Sequence, residues 1–196
     1  MKSALVLVTA VFALTFLPSH AQMQPTIPTD NAKLTELYKV DQGARMAKDI
    51  DWSKLTAEDA ARRKQVRDML DAGDVKTGLD YFHAALVFQH GDHAEDYLLA
   101  HVLAVTAISL GSPDARWLAA ATLDRYLRST NKEQIYGTQF QTVTGQPMIQ
   151  QPLATSLVSD SMRAAACVVP TAEQTKILND VNAGKPFRST HLSPCK

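Results

Sequence analysis

The sequence predicts a mostly α-helical protein with one small β-hairpin or ordered loop near residues 136–151. Three observations favour this fold class. Apolar residues recur at three- and four-residue steps over much of the region between residues 30 and 130. Polar residues spaced like helix N-terminal caps precede several of these segments. Alanine is frequent on the helix faces expected to meet, which allows close helix approach.

The chain opens with the features of a secretory signal peptide. Lys2 precedes an apolar run at residues 4–17, and the small residues Ser19 and Ala21 suit cleavage after Ala21. The run is shorter than the about 20 residues that a membrane-spanning helix needs. A retained N-terminal anchor is therefore the less favoured alternative.

We therefore expect a signal peptide at 1–21, a flexible leader at 22–29 and a single helical domain at 30–196. The full sequence holds 20 basic and 20 acidic residues, so its formal net charge is zero. That balance gives no basic surface for nucleic acid. The mature protein is expected in the periplasm or extracellular space, without stable membrane insertion. Its expected partner is a peptide or another protein.

The helices of the first two thirds are predicted from their boundaries. A first helix begins at Asp30 and carries Leu34, Leu37 and Asp41 on one face. Capping-box spacing then occurs three times, at Thr56 with Asp59, at Thr77 with Asp80 and at Asp92 with Glu95.

Glycines follow two of these helices, and a proline opens the next one. Gly91 and Gly111 are predicted to form left-handed C-terminal caps. Pro113 suits the first turn of a further helix that ends near Ser129. The architecture predicted for these short helices is that of stacked hairpins, as in tetratricopeptide or Sel1 proteins, although no regular repeat period is present.

The last third of the chain has a different character. Strands are expected near 138–142 and 148–151, followed by a helix at 157–167 and another from 171 to 182. Cys167 and Cys195 are interpreted as one disulfide, because an exported protein meets an oxidising compartment. Two unpaired thiols are the alternative.

Histidines are the first candidates for chemistry. His90 lies beside Asp92 and His93, and His83 lies upstream, so an imidazole and carboxylate metal site is one interpretation. The alternative is a set of local roles at helix ends. No metal motif is present, and we expect neither a metal nor another cofactor. His101 lies on an apolar face, as a hydrogen-bonded core residue or as a catalytic base.

Two further segments are polar where apolar residues are expected. Asp124 and Arg125 flank the inward stripe of their helix, as a solvated pair or as the charged edge of a groove. The segment 134–139 gathers amides, a phenol and a hydroxyl around Gly137. Such groups bind a polar ligand or satisfy a buried turn.

The order of these motifs resembles a bacterial family known only as a domain of unknown function. Its hallmark is a Tyr-Gly-Thr-Gln segment after a helix that ends in an Asp-Arg pair, and the likeness spans about residues 37–170. The residues that carry the resemblance are Asp41, Gln42, Arg45, Gln89, His90, Leu123, Asp124, Arg125, Gln134, Tyr136, Gly137, Thr138, Gln139, Asp160 and Arg163. The family implies no specific reaction.

Polar residues at inward positions should converge in a buried network or a pocket. The leading hypothesis is a module that binds a peptide or protein. Its binding residues would be Asp41, Gln42, Arg45, Arg125, Gln134, Tyr136, Thr138 and Gln139. The alternative is a hydrolase without a covalent nucleophile. Its base would be His90 or His101, oriented by Asp124 or Asp41, and Arg125 or Gln139 would stabilise negative charge.

Overall fold

A computed structural model of the protein describes residues 27–186 together with residues 193 and 195. The predicted signal peptide at 1–21 lies outside these residues, as does the leader before residue 27. The described chain is mostly helical and carries one small antiparallel sheet. Its elements are α1 (Ala32–Ala44), α2 (Trp52–Asp71), α3 (Gly78–Phe88), α4 (Ala94–Ser109), α5 (Ala115–Ser129), β1 (Phe140–Gln141), β2 (Ile149–Gln150), α6 (Asp160–Ala165) and α7 (Thr171–Asn182).

One of the three predicted capping boxes is confirmed, at the start of α3. The Thr77 hydroxyl accepts a hydrogen bond from the Asp80 backbone N–H at 3.0 Å, and the Asp80 carboxylate accepts one from Thr77 N–H at 3.1 Å. The Asp80 carboxylate also accepts from the backbone N–H of Asn31, the N-cap of α1, at 2.7 Å. The starts of α1 and α3 are thereby joined through one buried carboxylate.

The other two capping predictions are wrong, because both aspartates have longer-range partners. Asp51 caps α2, which starts four residues before Thr56, and Asp59 instead lies inside that helix and forms ion pairs. At α4 the N-cap is His93, without a side-chain cap bond, and Asp92 accepts from Arg63. At both Asp59 and Asp92, the carboxylate forms an ion pair with an arginine of another segment instead of capping a helix.

Only one of the two predicted glycine caps is left-handed. Gly111 follows α4 with a φ of 87°, as predicted. Gly91 does not adopt a positive φ. A Cβ at Gly91 would lie 2.2 Å from the Cβ of Asp96, so close approach of α4 requires a glycine there.

The main core lies around α3, which packs against α1, α2, α4 and α5. Most of its buried residues are small or branched, so the helix axes can approach closely. The fully buried members include Leu34, Val66, Ala84, Ala85, Val87, Ala100, Ala104, Ala107 and Ala115. A second, smaller cluster joins α5 and β1 to the α7 region through Trp117, Phe140, Val169 and Ile177.

The predicted hairpin and disulfide are both present. Phe140 pairs with Gln150, and Gln141 with Ile149, in an antiparallel register. Cys167 and Cys195 form a disulfide with their Cα atoms 5.3 Å apart. The helix expected at 157–167 is shorter than predicted, because the Ser159 hydroxyl caps it through the backbone N–H of Met162. Among the described helices, none combines the length and apolarity needed to cross a membrane.

Candidate functional site

Five charged or titratable side chains from three parts of the fold converge beside the end of α3. We call them the histidine cluster; they are Asp41, Arg45, Asp59, Arg62 and His90. Asp41 lies in the last turn of α1, Arg45 is the residue that ends α1, and Asp59 and Arg62 lie in α2. Asp41 is fully buried, so its charge depends on these neighbours.

Asp41 fixes the orientation of the His90 ring. Its Oδ2 lies 2.9 Å from His90 Nδ1, and the same oxygen accepts from Gln42 Nε2 at 2.7 Å. Its Oδ1 accepts from Arg45 Nη1 at 3.1 Å. Because both oxygens of Asp41 accept from other donors, we assign the hydrogen of the Asp41–His90 contact to His90 Nδ1. The lone pair of the neutral ring is then on Nε2.

The remaining ion pairs balance the buried charges of the histidine cluster. Arg45 Nη2 donates to Asp59 Oδ2 at 2.6 Å, and Arg62 donates to the other oxygen of the same carboxylate. Arg62 Nε lies 3.6 Å from Asp41 Oδ1. Burial would raise the pKa of Asp59, but the hydrogen bonds and charges of Arg62 and Arg45 outweigh it and lower that pKa. Two carboxylates thus face two guanidinium groups.

The backbone that carries His90 is held by three side chains from three helices. Arg125 Nη1 of α5 donates to Gln89 O at 2.6 Å. Arg63 Nη1 of α2 donates to His90 O at 2.9 Å. The Tyr97 hydroxyl of α4 donates to Gly91 O at 2.7 Å. These donors satisfy carbonyls at and just beyond the end of α3. The backbone of His90 is therefore held by these side chains, and its ring is held through Nδ1 by Asp41.

Burial lowers the pKa of His90 below its ordinary value of 6.5, although the hydrogen bond and charge of Asp41 act in the opposite direction. The positive charges of Arg45 and Arg125 add to the lowering. In the described part of the chain, Nε2 has no hydrogen-bond partner. The buried side-chain atoms without a partner in the described residues are Arg62 Nε and Trp117 Nε1. Since His90 Nε2 is not one of them, this atom is not fully buried. Nε2 is therefore open to the adjoining groove as a neutral acceptor.

That groove has a volume of about 1030 Å³ and runs between the ends of α1, α3 and α5. We call it the histidine groove. Its wall includes aromatic, basic and acidic side chains. Among them are Arg45, Trp52, Asp59, His90, Asp92, Tyr97, Arg125 and Arg128. Trp52 stands at its rim with 67% of its surface exposed.

Gln139 links the histidine groove to the turn that follows α5. Its Oε1 accepts from Arg125 Nε at 3.3 Å, and its Nε2 donates to Ala121 O at 3.1 Å and Thr138 Oγ1 at 3.0 Å. The amide is therefore engaged at both ends. Gln139 holds Arg125 in place, and Arg125 is the group of this pair that can meet a ligand.

Asp124 organises the 134–139 segment from inside the protein. Its Oδ1 accepts from the backbone N–H of Ile135 and Tyr136 at 2.8 and 3.0 Å. Its Oδ2 accepts from Thr138 N–H at 3.0 Å and Thr138 Oγ1 at 2.8 Å. Asp124 is fully buried and all of these partners lie in the turn. It supports the turn and bonds to neither His90 nor His101.

Gln134 closes the same turn from its other side. Its Oε1 accepts from Gln139 N–H at 2.8 Å, and its Nε2 donates to Gln139 O at 3.0 Å and Gln151 O at 2.8 Å. The fully buried Arg163 side chain donates to the carbonyls of Ile135 and Tyr136. Of the two interpretations of 134–139, the buried turn accounts for Gln134 and Thr138.

His101 and Tyr136 lie at a different groove, of about 400 Å³, between α4, α5 and α6. His101 Nδ1 lies 2.9 Å from Ala119 O, as expected for a hydrogen-bonded histidine on an apolar face. Val105 and Met162 line the same groove. The predicted site residues therefore lie in two places: Arg45, Arg125 and the catalytic candidate His90 line the histidine groove, while Tyr136 and the catalytic candidate His101 line the other.

The remaining histidines have separate surroundings. His83 is buried and stacks on Tyr38, with ring centroids 4.2 Å apart. His93 is exposed at the start of α4. Within residues 27–186, no group of three or more His, Cys, Asp or Glu side chains is arranged to hold a metal ion.

Sequence reasoning did not single out Arg62 or Tyr97, and it assigned Asp59 to a cap. A signal for α2 was present: Leu55, Asp59, Arg62 and Val66 follow one another at three- and four-residue steps. They form one inward face, on which two charged residues lie between two apolar ones. Tyr97 carried no comparable signal, because its contact with Gly91 O depends on the fold.

We expect Arg45→Ala to lower the free energy of unfolding by about 3 kcal/mol, because it leaves Asp41 and Asp59 short of a buried counter-charge. Urea unfolding of the variant and wild type measures this change. Lys48→Ala is the matched control, since Lys48 is exposed just after α1 and should change stability by less than about 0.5 kcal/mol. Equal unfolding midpoints for Arg45→Ala and wild type would contradict the cluster.

Comparison of the chain with protein-family models, curated proteins and solved structures gave no significant match. The resemblance to the bacterial family with the Tyr-Gly-Thr-Gln segment therefore stays a prediction.

Proposed function

We propose that this protein is a hydrolase in which His90, oriented by Asp41, activates water without a covalent enzyme nucleophile. The observation that carries the proposal is the 2.9 Å contact between Asp41 and His90 Nδ1, with Nε2 open to the histidine groove. This is the arrangement of a general base and its orienting carboxylate. His101 lacks a carboxylate partner among its hydrogen bonds, so His90 is the base.

The chemistry follows from the protonation of the pair. His90 Nε2 takes a proton from water, and the water oxygen forms a bond to the electrophilic carbon or phosphorus of an ester. The ester oxygen leaves and takes the proton from the imidazolium. Asp41 stabilises the imidazolium between these steps, while the lowered pKa of His90 keeps the ring neutral at pH 7 beforehand.

We also propose that the hydrolase acts after export, in the periplasm or extracellular space. The start of the sequence resembles a signal peptide, and the Cys167–Cys195 disulfide is compatible with an oxidising compartment. Intact mass of the exported form would test this proposal. A mass that includes residues 1–21 would contradict it.

Hydrolysis of p-nitrophenyl acetate and p-nitrophenyl phosphate by the mature protein tests the catalytic role. We expect turnover of at least one ester, and His90→Gln to reduce it about 10²- to 10⁴-fold because the base is lost. Turnover should fall as pH drops through the lowered pKa of His90, because protonated Nε2 cannot accept a proton.

His93→Gln is the matched control, since His93 is exposed three residues away and makes no side-chain cap bond. It should retain wild-type turnover. No turnover of either ester by wild type, or full turnover by a folded His90→Gln variant, would contradict the proposal.

Peptide binding without catalysis is the second candidate function. The observation that favours it is the exposed Trp52 at the rim of an open groove. The contacts between successive helices α3, α4 and α5 also support an arrangement of stacked helical hairpins, in the manner of tetratricopeptide or Sel1 proteins. Under this alternative, His90→Gln would leave peptide binding intact and wild type would show no turnover.

A further inference from the structure

Arg125 is a partly buried cation whose hydrogen bonds all go to uncharged groups. They are the Gln89 carbonyl, at 2.6 Å, and the Gln139 amide oxygen, at 3.3 Å. The Tyr97 ring lies beside it, with its centroid 5.9 Å from Arg125 Cζ. No ion pair among the described residues includes Arg125, so its charge is offset only by neutral dipoles.

Four other arginines of low exposure have a counter-charge within the chain. Each of four arginines with little exposed surface meets an aspartate within ion-pair distance. They are Arg45, Arg62, Arg63 and Arg163. Because an unpaired buried charge is unfavourable, the lack of a carboxylate at Arg125 points to a counter-charge supplied from outside the chain.

The surroundings of Arg125 add positive charge. Burial lowers the pKa of Arg125 although Tyr97 acts in the opposite direction, and the charges of Arg128 and Arg45 add to the lowering. Both of those residues line the histidine groove, and Arg125 also acts on the pKa of His90. Arg45, Arg125 and Arg128 thus line one groove. The two carboxylates that also line it are already paired, Asp59 with Arg45 and Asp92 with Arg63.

One end of Arg125 is available to a ligand. Nε and Nη1 are held by Gln139 and Gln89, which fixes the plane of the guanidinium. Nη2 has no partner in the part of the chain that the structure describes. Because Nη2 is not one of the buried atoms without a hydrogen-bond partner, it is not fully buried. Since Arg125 lines the groove, Nη2 can donate into it.

We infer that Arg125 forms an oxyanion-binding subsite beside His90, which takes a carboxylate or phosphate group of the ligand. The inference rests on the proposed function for its interpretation as a substrate subsite, but the binding itself does not require catalysis. A guanidinium held in a fixed plane binds such groups with charge-assisted hydrogen bonds. An anionic group held there would lie in the groove that His90 Nε2 faces.

Titration of the mature protein with sodium phosphate and, separately, sodium acetate tests the subsite, with NMR of the His90 ring and calorimetry as readouts. We expect one of the two anions to bind and to raise the pKa of His90, because it adds negative charge nearby. Phosphate binding alone identifies a phosphate-bearing ligand, and acetate binding alone identifies a carboxylate. Arg125→Gln should weaken binding about 10- to 100-fold, the loss of a charge-assisted contact.

Arg116→Gln is the matched control. Arg116 also lies on α5, donates to a backbone carbonyl and lacks an ion pair, but it lines the other groove. It should bind the anion as wild type does. Arg125→Lys keeps the charge and should bind more weakly than wild type but better than Arg125→Gln, with a folded state checked by circular dichroism.

Binding of neither anion, or equal binding by wild type and Arg125→Gln, would overturn the inference. The two proposals fail separately. Anion binding without ester hydrolysis would support the proposed subsite and contradict the proposed hydrolase activity. The ester p-nitrophenyl acetate is neutral. Its hydrolysis without anion binding would support the proposed hydrolase activity and contradict the proposed subsite.

Discussion

Asp124→Ala should lower the free energy of unfolding by about 3 kcal/mol or more, because it removes the acceptor of four hydrogen bonds at once. Three of the donors are backbone N–H groups of the turn after α5, and that of Thr138 is buried. Alanine leaves them without a partner, because its methyl group cannot accept a hydrogen bond. Urea unfolding gives the change directly.

Asp114→Ala is the control for this substitution. Asp114 precedes α5, is exposed and makes no side-chain cap bond. It should change stability by less than about 0.5 kcal/mol. If Asp124→Ala unfolds at the same urea concentration as Asp114→Ala, the carboxylate does not organise the turn.

Gly137→Ala should destabilise the protein by about 3 kcal/mol or more, through backbone strain and a steric clash together. Gly137 has a φ of 86°, and an added Cβ would lie 2.0 Å from Gln174 Oε1. Gln174 is fully buried and holds Tyr136 O and Val169 O through its Nε2, at 2.9 and 3.0 Å. Displacing it breaks these bonds, and also the 2.6 Å bond that its Oε1 accepts from Gln150.

Gly145→Ala separates strain from clash. Gly145 has a similar φ of 76°, is exposed in the hairpin loop, and an added Cβ would meet nothing within 4 Å. We expect a loss of about 1 kcal/mol there, from the left-handed backbone alone. Thermal and urea unfolding of both variants measure the difference. Equal losses at the two positions would show that Gln174 does not confine Gly137.

The candidate site was only partly predictable, and His90 shows why. Polar residues at inward positions indicated that six side chains should converge: Asp41, Arg45, His90, Asp124, Arg125 and Gln139. Arg45, His90, Arg125 and Gln139 line one groove, with Asp41 directly behind His90. Asp124 does not join them, because its carboxylate bonds to the turn after α5. The sequence left open which aspartate orients the histidine. Asp124 was named as the catalytic candidate and Asp41 as its alternative, because the pattern of a helix face gives direction but not distance; the structure pairs His90 with Asp41.

Several features follow from the sequence by itself because their causes are local. Helical periodicity, the Thr77 cap with Asp80 and the glycine after α4 depend on residues within a few positions of one another. The mostly helical class, the hairpin near 136–151 and the disulfide were likewise predicted and are present.

Only the tertiary structure decided the chemistry of the site. Asp59 and Asp92 had the spacing of caps, yet both carboxylates accept hydrogen bonds from arginines of other segments. His90 and Asp41 are 49 residues apart and meet because α1 and α3 pack together. Local signals determine where helices begin and end, while a buried charge takes whichever partner the fold brings within hydrogen-bond distance, because leaving it unpaired in a low-dielectric interior is far less favourable than losing a cap.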